Sequence, residues 1–130
     1  MSTKQTHIIM RMAIVDLGLK DLSEAINERL ALEGRKPIHY TAISRVIGGH
    51  KVKRGIETLA MADSITSQWV REYAKEYLRV LTPRLGDMGI DTDGLVAKTI
   101  VGDDQATAIF IRNKHGYHVA TYHVPTDKFI

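Results

Sequence analysis

Residues 40–54 are YTAISRVIGGHKVKR, a pattern that constrains the whole first half of the chain. Ile43, Val46 and Ile47 recur at the spacing of one helix face, Gly48-Gly49 stops the pattern, and His50, Lys51, Lys53 and Arg54 follow with no acid among them. A helix this short does not stand alone, because nucleation costs more than so few hydrogen bonds return. Neighbours must hold its apolar side. What remains exposed is a set of hydroxyls, a guanidinium and a basic tail, the groups that lie against a polyanion.

Candidate neighbours flank it on both sides. THIIMRMAIVD, from about Thr6 to Asp16, places Ile8, Ile9, Met12, Ala13 and Val15 on one broad apolar face. Leu17-Gly18 interrupts, and a second helix runs from Leu19 to about Leu32 through Leu22, Ala25, Ile26, Arg29 and Leu30, with Asp21 and Glu24 suited to the positive end of its dipole. Gly34 and Pro37 mark a turn before residue 40. After it, Gly55 to Ala62 forms a short amphipathic helix, and Asp63 or Ser64 can cap a new one. That last helix is the longest, with Ile65, Trp69, Tyr73, Tyr77 and Leu81 at i, i+4 steps, and Thr82-Pro83 is expected to end or bend it.

Beyond Gly94 the composition turns to β. Gln105 to Arg112 and Tyr117 to Val124 are rich in Thr, Ile, Val, Phe and Tyr, and Asn113-Lys114-His115-Gly116 between them is a turn signal, so a hairpin is expected. Leu95 to Val101 reads as a third strand or a short helix, with Gly102-Asp103-Asp104 as a turn. The expected fold is therefore mainly α with a small C-terminal β part, an antiparallel hairpin or three-stranded sheet. Its expected divisions are a helical bundle over 1–63, a long linking helix over 64–85, and a linker with the β module over 86–130.

Composition excludes several classes. With 130 residues and no cysteine, the chain has room for a core but neither disulfides nor thiolate metal sites, which fits a reducing, cytoplasmic compartment. No apolar run is long enough to cross a bilayer, and no signal-peptide pattern opens the sequence. The net charge of +3 is unevenly spread: residues 1–63 hold ten Lys/Arg against seven Asp/Glu, whereas residues 86–130 hold four against six. The basic balance thus belongs to the helical part.

The residues Asp21-Leu22-Ser23-Glu24-Ala25-Ile26, followed by Thr41-Ala42-Ile43-Ser44-Arg45-Val46-Ile47-Gly48-Gly49, carry a resemblance to the lambda-repressor and Cro-like (XRE) helix-turn-helix family. The likeness covers about residues 6–63. Leu22, Ser23 and Ile26 match its supporting helix, and Ile43, Ser44, Arg45, Val46 and Gly49 match its recognition helix. One departure is plain: about ten extra residues, Glu28 to Pro37, separate the two, read as a longer second helix plus a loop. The resemblance implies a phage-type transcriptional regulator, a repressor or activator, that binds an operator in double-stranded DNA as a homo-oligomer, dimer or tetramer, in the cytoplasm or on the nucleoid.

By position, Tyr40, Thr41, Ser44 and Arg45 are the expected base contacts, Arg45 being the guanine reader because a guanidinium bonds bidentately to O6 and N7. His39, His50, Lys51, Lys53 and Arg54 are the expected backbone contacts. Structural alternatives stand beside these roles: Arg45 paired with Glu57, Tyr40 packed on the first helix, and the basic run merely solvated. Trp69, Tyr73, Tyr77 and Leu81 have two readings, core or oligomer interface.

His115, His118 and His123 resemble a metal cluster only in sequence, because side chains five apart on a strand face opposite ways. The acids Asp91, Asp93, Asp103 and Asp104 read as turn residues. No metal, no cofactor and no enzymatic activity is expected, since no nucleophile, phosphate-loop or dinucleotide motif is present. The alternative function is a protein-interaction module, an antitoxin or anti-repressor acting through the C-terminal hairpin.

Overall fold

The protein is described here from a computed structural model covering residues 3–101 and 107–130. The turn expected at Gly102-Asp103-Asp104, and the start of the strand at Gln105, lie outside the described residues. Four helices precede an antiparallel sheet: α1 (Thr3–Val15), α2 (Leu19–Leu32), α3 (Tyr40–Ile47), α4 (Gly55–Asp87), then β1 (Val96–Val101), β2 (Thr107–Arg112), β3 (His118–His123) and β4 (Lys128–Phe129). The chain is mainly α with a C-terminal β part. It divides into two compact units, residues 1–70 and 71–130, so the boundary falls inside α4.

The first unit is built on the apolar faces legible in the sequence. Ile8 and Met12 of α1, Leu22, Ile26 and Leu30 of α2, Ile43 and Ile47 of α3, and Met61, Ala62 and Ile65 of α4 form one buried cluster with Ile38 from the loop before α3. Burying side chains of this size is worth about 1.5–3 kcal/mol each, which supplies the support that an eight-residue helix lacks by itself.

The loop between α2 and α3 is held from both ends. Where α2 stops, Arg35 N–H donates to Leu30 O (2.8 Å) and Gly34 N–H to Ala31 O (3.1 Å), a Schellman closure. Nearer α3, the Asn27 side chain clasps one residue: its Nδ2 donates to Ile38 O (2.9 Å) and its Oδ1 accepts from Ile38 N–H (2.7 Å).

Two expected breaks are absent. Asp63-Ser64 does not start a new helix, because the Asp63 carboxylate is taken by Arg11 Nη1 at 2.6 Å and so caps nothing. Nor does Thr82-Pro83 end the helix: α4 continues through Pro83 to Asp87. Proline removes one helical hydrogen bond, but Leu81 and Leu85 on either side are buried in the second core, and burial outweighs the interruption.

In the second unit the strands run in the order β1-β2-β3-β4, each antiparallel to its neighbour. The choice between strand and short helix over Leu95 to Val101 thus falls to a strand, Val96–Val101, and the short β4 adds a fourth to the expected two or three. Ile109 and Ile111 of β2 and Ala120 and Tyr122 of β3 face Leu81 and Leu85 of α4, with Tyr73, Tyr77 and Phe129 around them. The hairpin turn is held by Asn113, whose Oδ1 accepts from His115 N–H (2.9 Å) and Tyr117 N–H (3.0 Å).

A cluster closes the C-terminal end of this unit. Asp127 accepts from Arg84 (2.7 Å) and from the Tyr122 hydroxyl, while the Arg84 guanidinium lies over the Tyr122 and Phe129 rings. The Tyr122 hydrogen bond, seconded by Arg84, holds the Asp127 carboxyl below its ordinary range, and the same bond raises the Tyr122 phenol.

Candidate nucleic-acid interface

α3 is oriented by what it buries. Ile43, Val46 and Ile47 point into the first unit, which turns Tyr40, Thr41 and Arg45 outward. Both ends of the helix are satisfied locally. His39 is the N-cap, its Nδ1 accepting from Thr41 N–H at 3.1 Å. At the other end His50 N–H donates to Arg45 O (2.9 Å) and Gly49 N–H to Val46 O (3.0 Å). Gly49 sits at φ +91°, a conformation that a side chain would strain. Gln5 of α1 adds a bond from its Nε2 to Val46 O, at 3.0 Å.

Of the expected base contacts, Tyr40 is 47% exposed, Thr41 is exposed and Arg45 is exposed. Tyr40 is therefore not packed away on α1. Ser44 is half-buried and borders a shallow groove with Ile9, Met12 and Leu19, so it belongs to the flank of the face rather than its centre. The Arg45–Glu57 pairing is not formed: the Glu57 carboxylate is engaged by Arg54 and Arg35, and Arg45 has no ion-pair partner among the described residues.

Among the expected backbone contacts, His50, Lys51 and Lys53 are exposed on the loop after α3. His39 is exposed, but one ring nitrogen is occupied as the cap. Arg54 departs most from expectation. It bonds Glu57 with two nitrogens, Nε to Oε2 at 3.0 Å and Nη2 to Oε1 at 3.1 Å, while Nη1 donates to Lys36 O at 2.9 Å. Its backbone is left-handed, at φ +63°. Arg54 thus ties the start of α4 to the loop before α3, and its fork is not free for phosphate.

From His39 to Ile56 no acidic residue occurs, so α3 and the following loop carry no negative side chain. The sequence reading missed Asn27, Gln5 and the structural role of Arg54. Nothing local signals them, since each acts on main-chain groups or side chains brought near only by folding.

Leu81 is the fully buried member of the stripe, whereas Trp69, Tyr73 and Tyr77 are half-buried. Trp69 packs against the first cluster, Tyr73 and Tyr77 against the second, and Leu81 lies inside it. The Tyr73 and Tyr77 rings are 4.9 Å apart and Tyr77 is 5.9 Å from Tyr122. Burial, then the hydrogen bond with Tyr77, pushes the Tyr73 phenol well above its ordinary range.

The histidines differ from expectation in one respect. A bulge opposite Ile111/Arg112 inserts an extra residue into β3, which reverses the alternation and puts His118 and His123 on the same face of the sheet. Among the described residues no group of three or more potential ligands stands at metal-binding distance.

No protein-family model, curated protein or solved structure matches the chain.

Proposed function

We propose that the chain is a sequence-specific double-stranded DNA-binding protein, a transcriptional regulator of bacteriophage or prophage type, that reads its operator with α3. The observation that carries this reading is the division of one short helix: three aliphatics are locked into a core while Tyr40, Thr41 and Arg45 stand free beside an acid-free loop bearing His50, Lys51 and Lys53. A helix so held fits a major groove, its N-terminal residues toward base edges and its C-terminal loop on phosphates. The seven-residue connection between α2 and α3, residues 33–39, replaces the tight turn of the family it resembles.

In this reading Arg45 reads guanine, Tyr40 and Thr41 touch a thymine methyl or a phosphate, and Lys51 and Lys53 fix the register. Two copies of the chain engage two half-sites about one helical turn apart, because one short helix covers few base pairs.

Selection from a random duplex pool tests the whole reading. A two-fold symmetric motif is expected, and Arg45→Ala is expected to weaken binding to it by about 1–3 kcal/mol while relaxing preference at one guanine per half-site. No enriched motif, or unchanged affinity and preference for Arg45→Ala, overturns it.

A further inference from the structure

The outer face of the sheet, turned away from the second core, has a composition that its structural duty does not explain. Register places Val96, Lys98 and Ile100 of β1, Ala108, Phe110 and Arg112 of β2, and His118, Thr121 and His123 of β3 on this face. Phe110 is at the centre, with Lys98 directly across from it on one side and Thr121 on the other. The His118 ring lies on the Phe110 ring, centroids 4.2 Å apart and planes 24° from parallel. His118 Nε2 is 2.8 Å from Thr121 Oγ1, which fixes the imidazole in its plane. The Arg112 guanidinium stands 5.3 Å from the Phe110 centroid.

We propose that this face binds single-stranded nucleic acid, a base stacking on His118 and the adjoining phosphates lying on Lys98 and Arg112. His118 is exposed, while Phe110 against one face of its ring and Thr121 at its edge keep it from turning. An aromatic surface fixed before the ligand arrives spares the ordering cost of binding. Lys98 and Arg112 are exposed on either side, and the three strands contain no Asp or Glu among the described residues. Stacked aromatics between cations, with no acid, match the chemistry of an unpaired strand, whose bases have free π faces and whose backbone is anionic.

Lys98 also argues against a second copy joined to the sheet edge to edge. β1 is an edge strand with Lys98 near its middle, and a two-fold antiparallel pairing of β1 centred there sets Lys98 against its own copy. Like charges directly opposite are destabilising, and a lysine in an edge strand is a common guard against such pairing. The proposal concerns the second unit alone and stands whether or not α3 reads an operator.

The test measures anisotropy of fluorescein-labelled dT15 and rU15 with the full chain. His118→Ala is expected to weaken both by about tenfold, whereas His118→Phe, which keeps a ring on Phe110, retains most of the affinity. Lys98→Glu with Arg112→Glu is expected to weaken binding by at least tenfold at moderate salt. A preference for rU15 over dT15, or the reverse, identifies which strand the face takes, and either supports the proposal. Binding that survives both His118→Ala and the charge reversal overturns it, as does no binding at all. A chain that sediments as a dimer and becomes monomeric on charge reversal also overturns it, because the face is then an interface between copies.

Discussion

Asn27→Ala is the most direct test of how α3 is positioned. The Asn27 amide makes two bonds to Ile38, at 2.9 and 2.7 Å, and Ile38 is only 5% exposed. Truncation leaves an N–H and a C=O of a nearly buried residue without partners, each costing about 1–3 kcal/mol when unmade. Because Asn27 is itself half-buried, water recovers part of this, and alanine is the better helix former by roughly 0.5 kcal/mol. The net expectation is a loss of about 2 kcal/mol. With a urea slope of about 1 kcal/mol/M for a unit of this size, the midpoint falls by roughly 2 M. Trp69 is the single tryptophan and packs on the first core, so its fluorescence follows that unit selectively. Asn27→Leu keeps the volume and excludes water, and is expected to lose at least as much. Midpoints for both variants within about 0.5 M of the unsubstituted chain refute the clasp as a determinant of this fold.

Other outcomes follow from the same geometry. Lys51→Ala and Lys53→Ala are each expected to reduce the salt slope of duplex binding by about one, whereas Arg54→Ala leaves the slope unchanged but lowers the Trp69 unfolding midpoint, since Arg54 is spent on Glu57 and loop carbonyls. The Asp127 carboxyl titrates below its ordinary value in the fold, so the stability that it contributes is complete above the unfolded pKa and is lost as pH falls through the depressed one; Asp127→Asn is expected to flatten acid unfolding of the second unit followed by tyrosine absorbance. Gly94 is at φ +67°, and a Cβ there meets Lys114 Cβ at 2.8 Å, so Gly94→Ala is expected to cost about 1–3 kcal/mol in a thermal melt.

The parts of this fold legible in the sequence are those set by period. Ile8 and Met12, Leu22, Ile26 and Leu30, and Ile43, Val46 and Ile47 each declare a helix face by spacing, and all are buried. The outward set on α3 follows from that spacing, which is why Tyr40, Thr41 and Arg45 were identifiable before the fold was known. What local pattern misjudged were residues with two local meanings. Asp63 is a good cap and Pro83 a good breaker, but Arg11 claims the first, and burial of Leu81 and Leu85 carries the helix past the second. A bulge is likewise invisible to alternation, and one inserted residue was enough to bring His118 and His123 to one face.

Arg54 gives this division its functional edge. In sequence it is indistinguishable from Lys51 and Lys53, a third cation in a run after a helix. In the fold it carries a left-handed backbone and bridges Lys36 O to Glu57, two groups 21 residues apart in the chain. A strained backbone persists only where the surroundings over-determine it, and here they do so with a two-nitrogen carboxylate contact. The basic run therefore separates into free ammonium groups that can neutralise phosphate and one guanidinium that fixes the loop presenting α3. Removing charge from Lys51 or Lys53 ought to alter the salt dependence of duplex binding, whereas removing Arg54 ought to lower the stability of the unit that presents α3.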